Sequence, residues 1–156
     1  MKRARSGWIA ACGAIVAIAS MAAAPIANDS AGSPITVIAA RDHPFTALPS
    51  RDGSTLFISV VRDRGPNGIL VVHRSNGTYR AGAFVPVDGA PSGLALTPDG
   101  RTLLVGADDR YAALSATAAE RDEIPPISYL RNHFTDAAIE VVPSIDGTHA
   151  FFFERA

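Results

Sequence analysis

The sequence predicts an all-β protein built from repeated four-stranded antiparallel sheets, and three observations carry that expectation. First, one short pattern recurs three times, as PSRDGSTLFIS, TPDGRTLLVG and PSIDGTHAFFF. Its Asp-Gly pairs are Asp52-Gly53, Asp99-Gly100 and Asp146-Gly147, so the step is 47 residues both times (53 to 100, 100 to 147). A fixed period of this length marks an architecture in which each unit is one supersecondary element. Second, each pair is flanked by two apolar segments of strand length, the arrangement of a β-hairpin in which Asp and Gly tolerate a positive φ. Third, further short strands fill the rest of each period.

The elements follow in order. Asn28 to Ser33 is a small, polar lead-in, and Ile35-Thr36-Val37-Ile38-Ala39-Ala40 is a β-branched run of strand character. Before the three glycines stand the apolar pairs Ala47-Leu48, Leu94-Ala95 and Val141-Val142. After them stand Leu56-Phe57-Ile58, Leu103-Leu104-Val105 and Ala150-Phe151-Phe152. Pro49, Pro98 and Pro143 close the first strand of each hairpin, where a missing N–H is harmless. The runs after the turns are almost continuously apolar, as in strands covered on both faces. Gly68 to His73 then reads as a third strand, Ser75-Asn76-Gly77 as a turn, and Tyr79 to Val85 as a fourth strand ending at Pro86. The second period is more degenerate, with Tyr111 to Leu114 third and Ile127 to Leu130 fourth. Good helix formers give Tyr111 to Glu123 an alternative helical reading, as an insertion replacing the third strand and its turn. Four short strands per period of this length describe a β-propeller blade. Residues 42–156 then form an incomplete arc of about 2.5 blades.

Residues 1–27 read as a secretory signal peptide: Lys2, Arg3 and Arg5, an apolar run from Trp8 to Met21, then small residues. Cleavage fits after Ala22 or Ala27 better than after Ala24, which Pro25 follows. An uncleaved anchor is the alternative, but an Ala-rich run is weakly apolar for permanent membrane residence. Ile9-Ala10-Ala11-Cys12 resembles an acylation box placed too early in the leader to serve. No other cysteine follows, so disulfides and thiolate metal sites are unavailable. Losing Lys2, Arg3 and Arg5 from the 14 basic side chains leaves 11 against 15 acidic ones, a net charge of −4. That balance argues against nucleic acid or an anionic membrane as partner. The expected location is periplasmic or secreted.

The segment Ala90-Pro91-Ser92-Gly93-Leu94-Ala95-Leu96-Thr97-Pro98-Asp99-Gly100-Arg101-Thr102-Leu103-Leu104-Val105 resembles the YVTN-repeat and lactonase-like seven-bladed propellers. The likeness extends over about Asp42 to Glu154 through the turns and flanking strands. It implies a propeller fold and leaves activity open, since propellers host binding, structural and catalytic roles. Two features depart from the family. A seven-bladed ring needs more repeats than are present, which predicts either a truncated product of a longer gene or closure by self-association. Lactonase-type members also tend to carry a histidine before the inner strand, where this chain has Gly89-Ala90-Pro91-Ser92.

In a propeller the Asp-Gly turns share one end, and the loops into each inner strand and out of the second strand gather at the other. These are Arg41 to Pro44, Val87 to Ala90, Arg131 to Asp136, Arg62 to Arg64, and Asp108 to Arg110. Lactone chemistry needs an acid/base and a cation for the oxyanion. The catalytic candidates are His43, His133 and Arg131, and the ligand-binding candidates Arg62, Arg64 and Asp136. Against that stands the commoner role of rim charges, solvated or engaged in turn bonds. Asp52, Asp99 and Asp146 read as structural turn residues with Gly53, Gly100 and Gly147, His149 as a surface residue, and His73 as a pairing residue at a strand end. The histidines lack ligand spacing, so no metal is expected, and neither a phosphate loop nor a nucleophile elbow is present. No cofactor is implied. Asn28-Asp29-Ser30 and Asn76-Gly77-Thr78 are glycosylation sequons by rule. The favoured reading is an exported binding or scaffold module, with a lactonase-type hydrolase or lactonising fragment as the alternative enzyme.

Overall fold

A computed structural model describes residues 42–131 and 138–154. All of them lie in Ser33–Ala156, the larger of two units into which the chain divides. The signal-peptide reading, the Ile35 to Ala40 run, His133 and Asp136 fall outside the described residues. Blade 1 is a sheet of β1 (His43–Pro49), β2 (Thr55–Val61), β3 (Gly68–Ser75) and β4 (Thr78–Pro86), in that order. Blade 2 repeats it with β5 (Pro91–Leu96), β6 (Thr102–Ala107), β7 (Arg110–Ser115) and β8 (Ile127–Arg131). The third sheet pairs β9 (Ala138–Pro143) with β10 (Ala150–Glu154). Every pairing is antiparallel between chain neighbours. The fold is therefore all-β, with propeller blades in a partial arc.

The core explains why β2 and β6 are apolar on both faces. Phe57, Ile69, Val71 and Val85 of blade 1 join Leu103, Val105, Ala112 and Leu114 of blade 2 in one buried cluster. Burying each large side chain of that set contributes roughly 1.5–3 kcal/mol. Strand β10 differs: Phe152 turns toward blade 2, stacking on Tyr111 with ring centroids 3.9 Å apart, while Phe151 and Phe153 are exposed. The expectation of two-sided burial thus fails for β10. Among the described residues, no sheet lies on its far face.

The three Asp-Gly turns are one device built three times. The glycines have φ of 71°, 73° and 70°, and their N–H groups donate to Ser50, Thr97 and Ser144 C=O at 3.0, 2.8 and 3.0 Å. The hydroxyls of those residues donate to Oδ1 of Asp52, Asp99 and Asp146 at 2.7, 2.6 and 2.6 Å. They accept the N–H of Thr55, Thr102 and His149 at 2.9, 3.0 and 2.9 Å. Each aspartate also accepts the backbone N–H two residues on, from Ser54, Arg101 and Thr148. Only the glycine takes the positive φ that the sequence shared between both residues. The aspartate is instead a side-chain acceptor closing an Asx turn. These bonds hold the Asp52 carboxyl down to about 2, through the Ser54 N–H and the Ser50 and Ser54 hydroxyls. Asp99 is lowered chiefly by the Thr97 hydroxyl and Asp146 by that of Ser144.

The helical alternative over Tyr111 to Glu123 is corrected. β7 is a strand, and the helix is only α1 (Ala116–Ala119), which is capped by Ser115. Ala112 and Leu114 alternate into the core while Ser115 accepts the Ala118 N–H at 3.2 Å, so the chain switches period there. The insertion replaces the β7–β8 turn and leaves the third strand intact. The Asn76-Gly77 turn is a two-residue hairpin with φ of 50° and 76°, the type I′ geometry that fits strand twist.

Two outcomes follow. Gly100→Val places a β-branched residue at a φ of 73° and should cost about 1–3 kcal/mol in thermal or urea unfolding. Unchanged stability would contradict the turn. Because the turn aspartates have folded pKa values below those of the unfolded chain, their stabilisation is present above the ordinary carboxylate range and is lost as pH falls through and below it, for Asp52 toward about 2. Replacing all three by Asn should flatten the fall in melting temperature across that window, and an unaltered slope would place the acid sensitivity elsewhere.

Candidate functional site

The loops opposite the Asp-Gly turns come together because every odd-numbered strand begins there and every even-numbered strand ends there. On blade 1, β1 begins at His43 and β2 ends beside it at Val61, its register partner. This places Asp42 and His43 next to Arg62 and Asp63. His43 Nε2 lies 3.1 Å from Asp63 Oδ1, both side chains exposed. Arg62 Nε lies 3.3 Å from Asp42 Oδ2, an ion-pair distance whose angle falls short of a hydrogen bond. Its guanidinium carbon stands 3.6 Å from the Phe84 ring centroid, a cation–π contact. Arg64 is exposed in the same loop. A histidine, two carboxylates and an arginine therefore meet at the rim of one blade, from two neighbouring strand ends.

Side-chain hydrogen bonds carry this rim to blade 2. The Asn67 side chain accepts the Arg62 N–H at 2.8 Å and donates to Gly89 C=O at 3.0 Å. Asp108, at a φ of 44°, accepts the Ala90 N–H at 2.7 Å. Asp88 accepts from Arg110 at 3.0 Å, and its N–H donates to Tyr129 Oη at 3.0 Å. Arg131, a catalytic candidate, ends β8 opposite Arg110. His133 and Asp136 lie outside the described residues. Chemically, the His43–Asp63 pair has the form of an acid/base, and Arg62 that of an anion holder already engaged by Asp42. Among the described residues, no group of three His, Cys, Asp or Glu is placed to hold a metal ion, and no helix is long and apolar enough to cross a membrane.

Cavities among the described residues also lie elsewhere. A cleft of about 310 Å³ separates the second and third turns, lined by Thr97, Asp99, Asp146 and Gly147. An apolar groove of about 240 Å³ runs along blade 2 beside Phe152, lined by Leu104, Tyr111, Ala113 and Leu130.

Sequence reasoning missed one cluster. His73 Nε2 lies 2.8 Å from Asp122 Oδ1, which also accepts the Ala83 N–H at 2.7 Å, with Arg80 3.7 Å from Oδ2. The His73 hydrogen bond, then the Ala83 N–H, lowers the Asp122 carboxyl. Asp122 follows α1 at a φ of 60°, so the insertion latches blade 2 onto the β3–β4 hairpin of blade 1. The partners stand 49 residues apart, beyond any local pattern. The one signal in the sequence was Gly82, whose position a Cβ would make collide with Asp122 and His73. Gly82→Ala should therefore push the Asp122 and His73 side chains apart and cost up to about 1 kcal/mol, the scale of a partly exposed ion pair, read from denaturant unfolding. A neutral result would remove the latch from the list of stabilising contacts.

No protein-family model matches the chain, and no curated protein matches it. Among solved structures, the chain is similar to Kuenenia stuttgartiensis hydrazine synthase, with a TM-score of 0.56 and 15% sequence identity. The match covers 73% of this chain and 46% of that one. At that identity the likeness concerns the fold alone, and this chain spans under half the length of its structural neighbour. What the comparison and the sheets together establish is a β-propeller-like all-β fold.

Proposed function

We propose that this chain is an exported binding or scaffold module of the YVTN/lactonase-like kind, working through the faces of its blades. The observation that carries the reading is the exposed apolar surface of the third sheet. Phe151, Phe153 and Val142 are 55%, 52% and 41% exposed, and Ile145 is 97% exposed. Val142 pairs with Phe151, and Phe153 follows two residues on, so these three share one face. Exposed apolar surface gathered on one face marks a site of protein association. Export is supported by the leader-like order of charged, apolar and small residues at the N-terminus. The rim loops, with paired charges of both signs, suit a small polar ligand as a second, weaker function of the same arc.

A lactonase-type activity is the second reading, and the presence of the His43–Asp63 and Arg62–Asp42 pairs at the same strand ends favours it. A panel of lactones separates the two. The binding reading expects hydrolysis at the buffer background, unchanged by His43→Ala or Arg62→Ala. Turnover above background that either substitution reduces by about 100-fold, the scale of an acid/base or oxyanion group, would replace it with the enzyme reading. Neither residue lies in the buried cluster between the blades, so both variants should remain folded.

A further inference from the structure

The three Asp-Gly turns are chained by one recurring contact. At the first two turns, the residue two positions before the glycine lies over the glycine of the next turn. Arg51 Cβ lies 3.5 Å from where a Cβ on Gly100 would stand, and Pro98 Cδ 3.5 Å from the same point on Gly147. Arg51 adds a hydrogen bond to Pro98 C=O at 2.7 Å, 47 residues on. The series has two loose ends. Ile145, the third residue of this kind, is 97% exposed. Gly53, the first glycine, has nothing within 4 Å of the position its Cβ would take.

The sheets show the same two loose ends. Phe57, four residues after its glycine, is buried with Leu103 and Val105, three and five residues after theirs. The position equivalent to Phe57 in the third sheet is Phe151, whose face also bears Phe153 and is open. The positions equivalent to Leu103 and Val105 in blade 1 are Leu56 and Ile58, which with Leu70 remain half-buried. One chain thus carries both halves of a blade joint, each without its counterpart among the described residues.

The geometry points to a second copy of this chain as the occupant. Its blade 1 seats the Leu56 and Ile58 face on Phe151 and Phe153 of the first copy, and its Gly53 receives Ile145. The joint repeats the two already formed within the chain, in the same register. A symmetric contact between two Phe151 faces would leave Ile145 and Gly53 unmatched. Such a head-to-tail contact is heterologous and propagates to a ring or a filament. The inference rests on the binding-module reading and names its partner.

Cross-linking in a Cys12→Ser background tests it. Chains carrying Ile145→Cys and chains carrying Gly53→Cys are mixed and oxidised mildly, since at the joint of blades 1 and 2 the equivalent Arg51 Cβ stands 3.5 Å from the Cβ position of Gly100, within disulfide range. The expected result is a mixed disulfide dimer, with little product from either chain alone. If circular dichroism shows that Gly53→Cys is unfolded, Ser54→Cys takes its place. In parallel, sedimentation of the unmodified chain should show concentration-dependent association that Phe151→Asp weakens by at least about tenfold, as for a central apolar anchor. A monomer at every concentration, association indifferent to Phe151→Asp, or Ile145→Cys linking chiefly to itself would each overturn the inference. None of these speaks to catalysis, whereas lactone turnover would remove the parent reading even if the copies associate.

Discussion

A sheet that is apolar on both faces cannot stand alone in water, and this constraint governs the whole arc. β2 and β6 hide Phe57, Leu103 and Val105 only because blade 1 and blade 2 lie face to face. The hydrophobic effect has no direction, so burial by itself does not fix how the sheets are aligned. Direction comes from the turn end, where Arg51 reaches Pro98 and Pro98 touches Gly147. It comes also from Thr46, whose hydroxyl donates to Ser92 C=O on the neighbouring inner strand at 2.6 Å. Packing supplies the stability, and a few directional contacts supply the register.

The two ends of the blades divide the labour differently. At the turn end, hydroxyl, carboxylate and glycine repeat with the period, and each aspartate is spent on its own loop. At the rim end the loops differ from blade to blade, and charges meet across loops: His43 with Asp63, Arg62 with Asp42, Arg110 with Asp88. Conserving geometry at one end leaves the other free to vary, which is how one scaffold carries many roles.

Much of this was legible in the sequence because it is local. The hairpins and the third and fourth strands of blade 1 rest on residues within a few positions of one another, and the period of 47 is the recurrence of one such local pattern. The third strand of blade 2 was legible but contested, since Tyr111-Ala112-Ala113-Leu114 suits helix as well as strand, and only pairing with β6 decides. The latch between His73 and Asp122, and the stack of Tyr111 on Phe152, join residues about four dozen and forty positions apart, and no periodicity announces them. At the rim, the sequence placed His43 and Arg62 on the correct end but did not show that each meets a carboxylate. It also shared a positive φ between Asp and Gly, where the backbone gives it to glycine alone.

The repeated turn bears on how the protein ages. An Asp-Gly bond ordinarily isomerises when the glycine nitrogen attacks the aspartate carboxyl, which must be protonated and free to swing round. Here the Gly53, Gly100 and Gly147 nitrogens are held by the carbonyls of Ser50, Thr97 and Ser144, and the carboxylates are pinned in their ionised form. The folded turns therefore shield three chemically fragile bonds, and an unfolded chain exposes all three together. Isoaspartate in a stored sample becomes a cumulative record of the time its molecules have spent open.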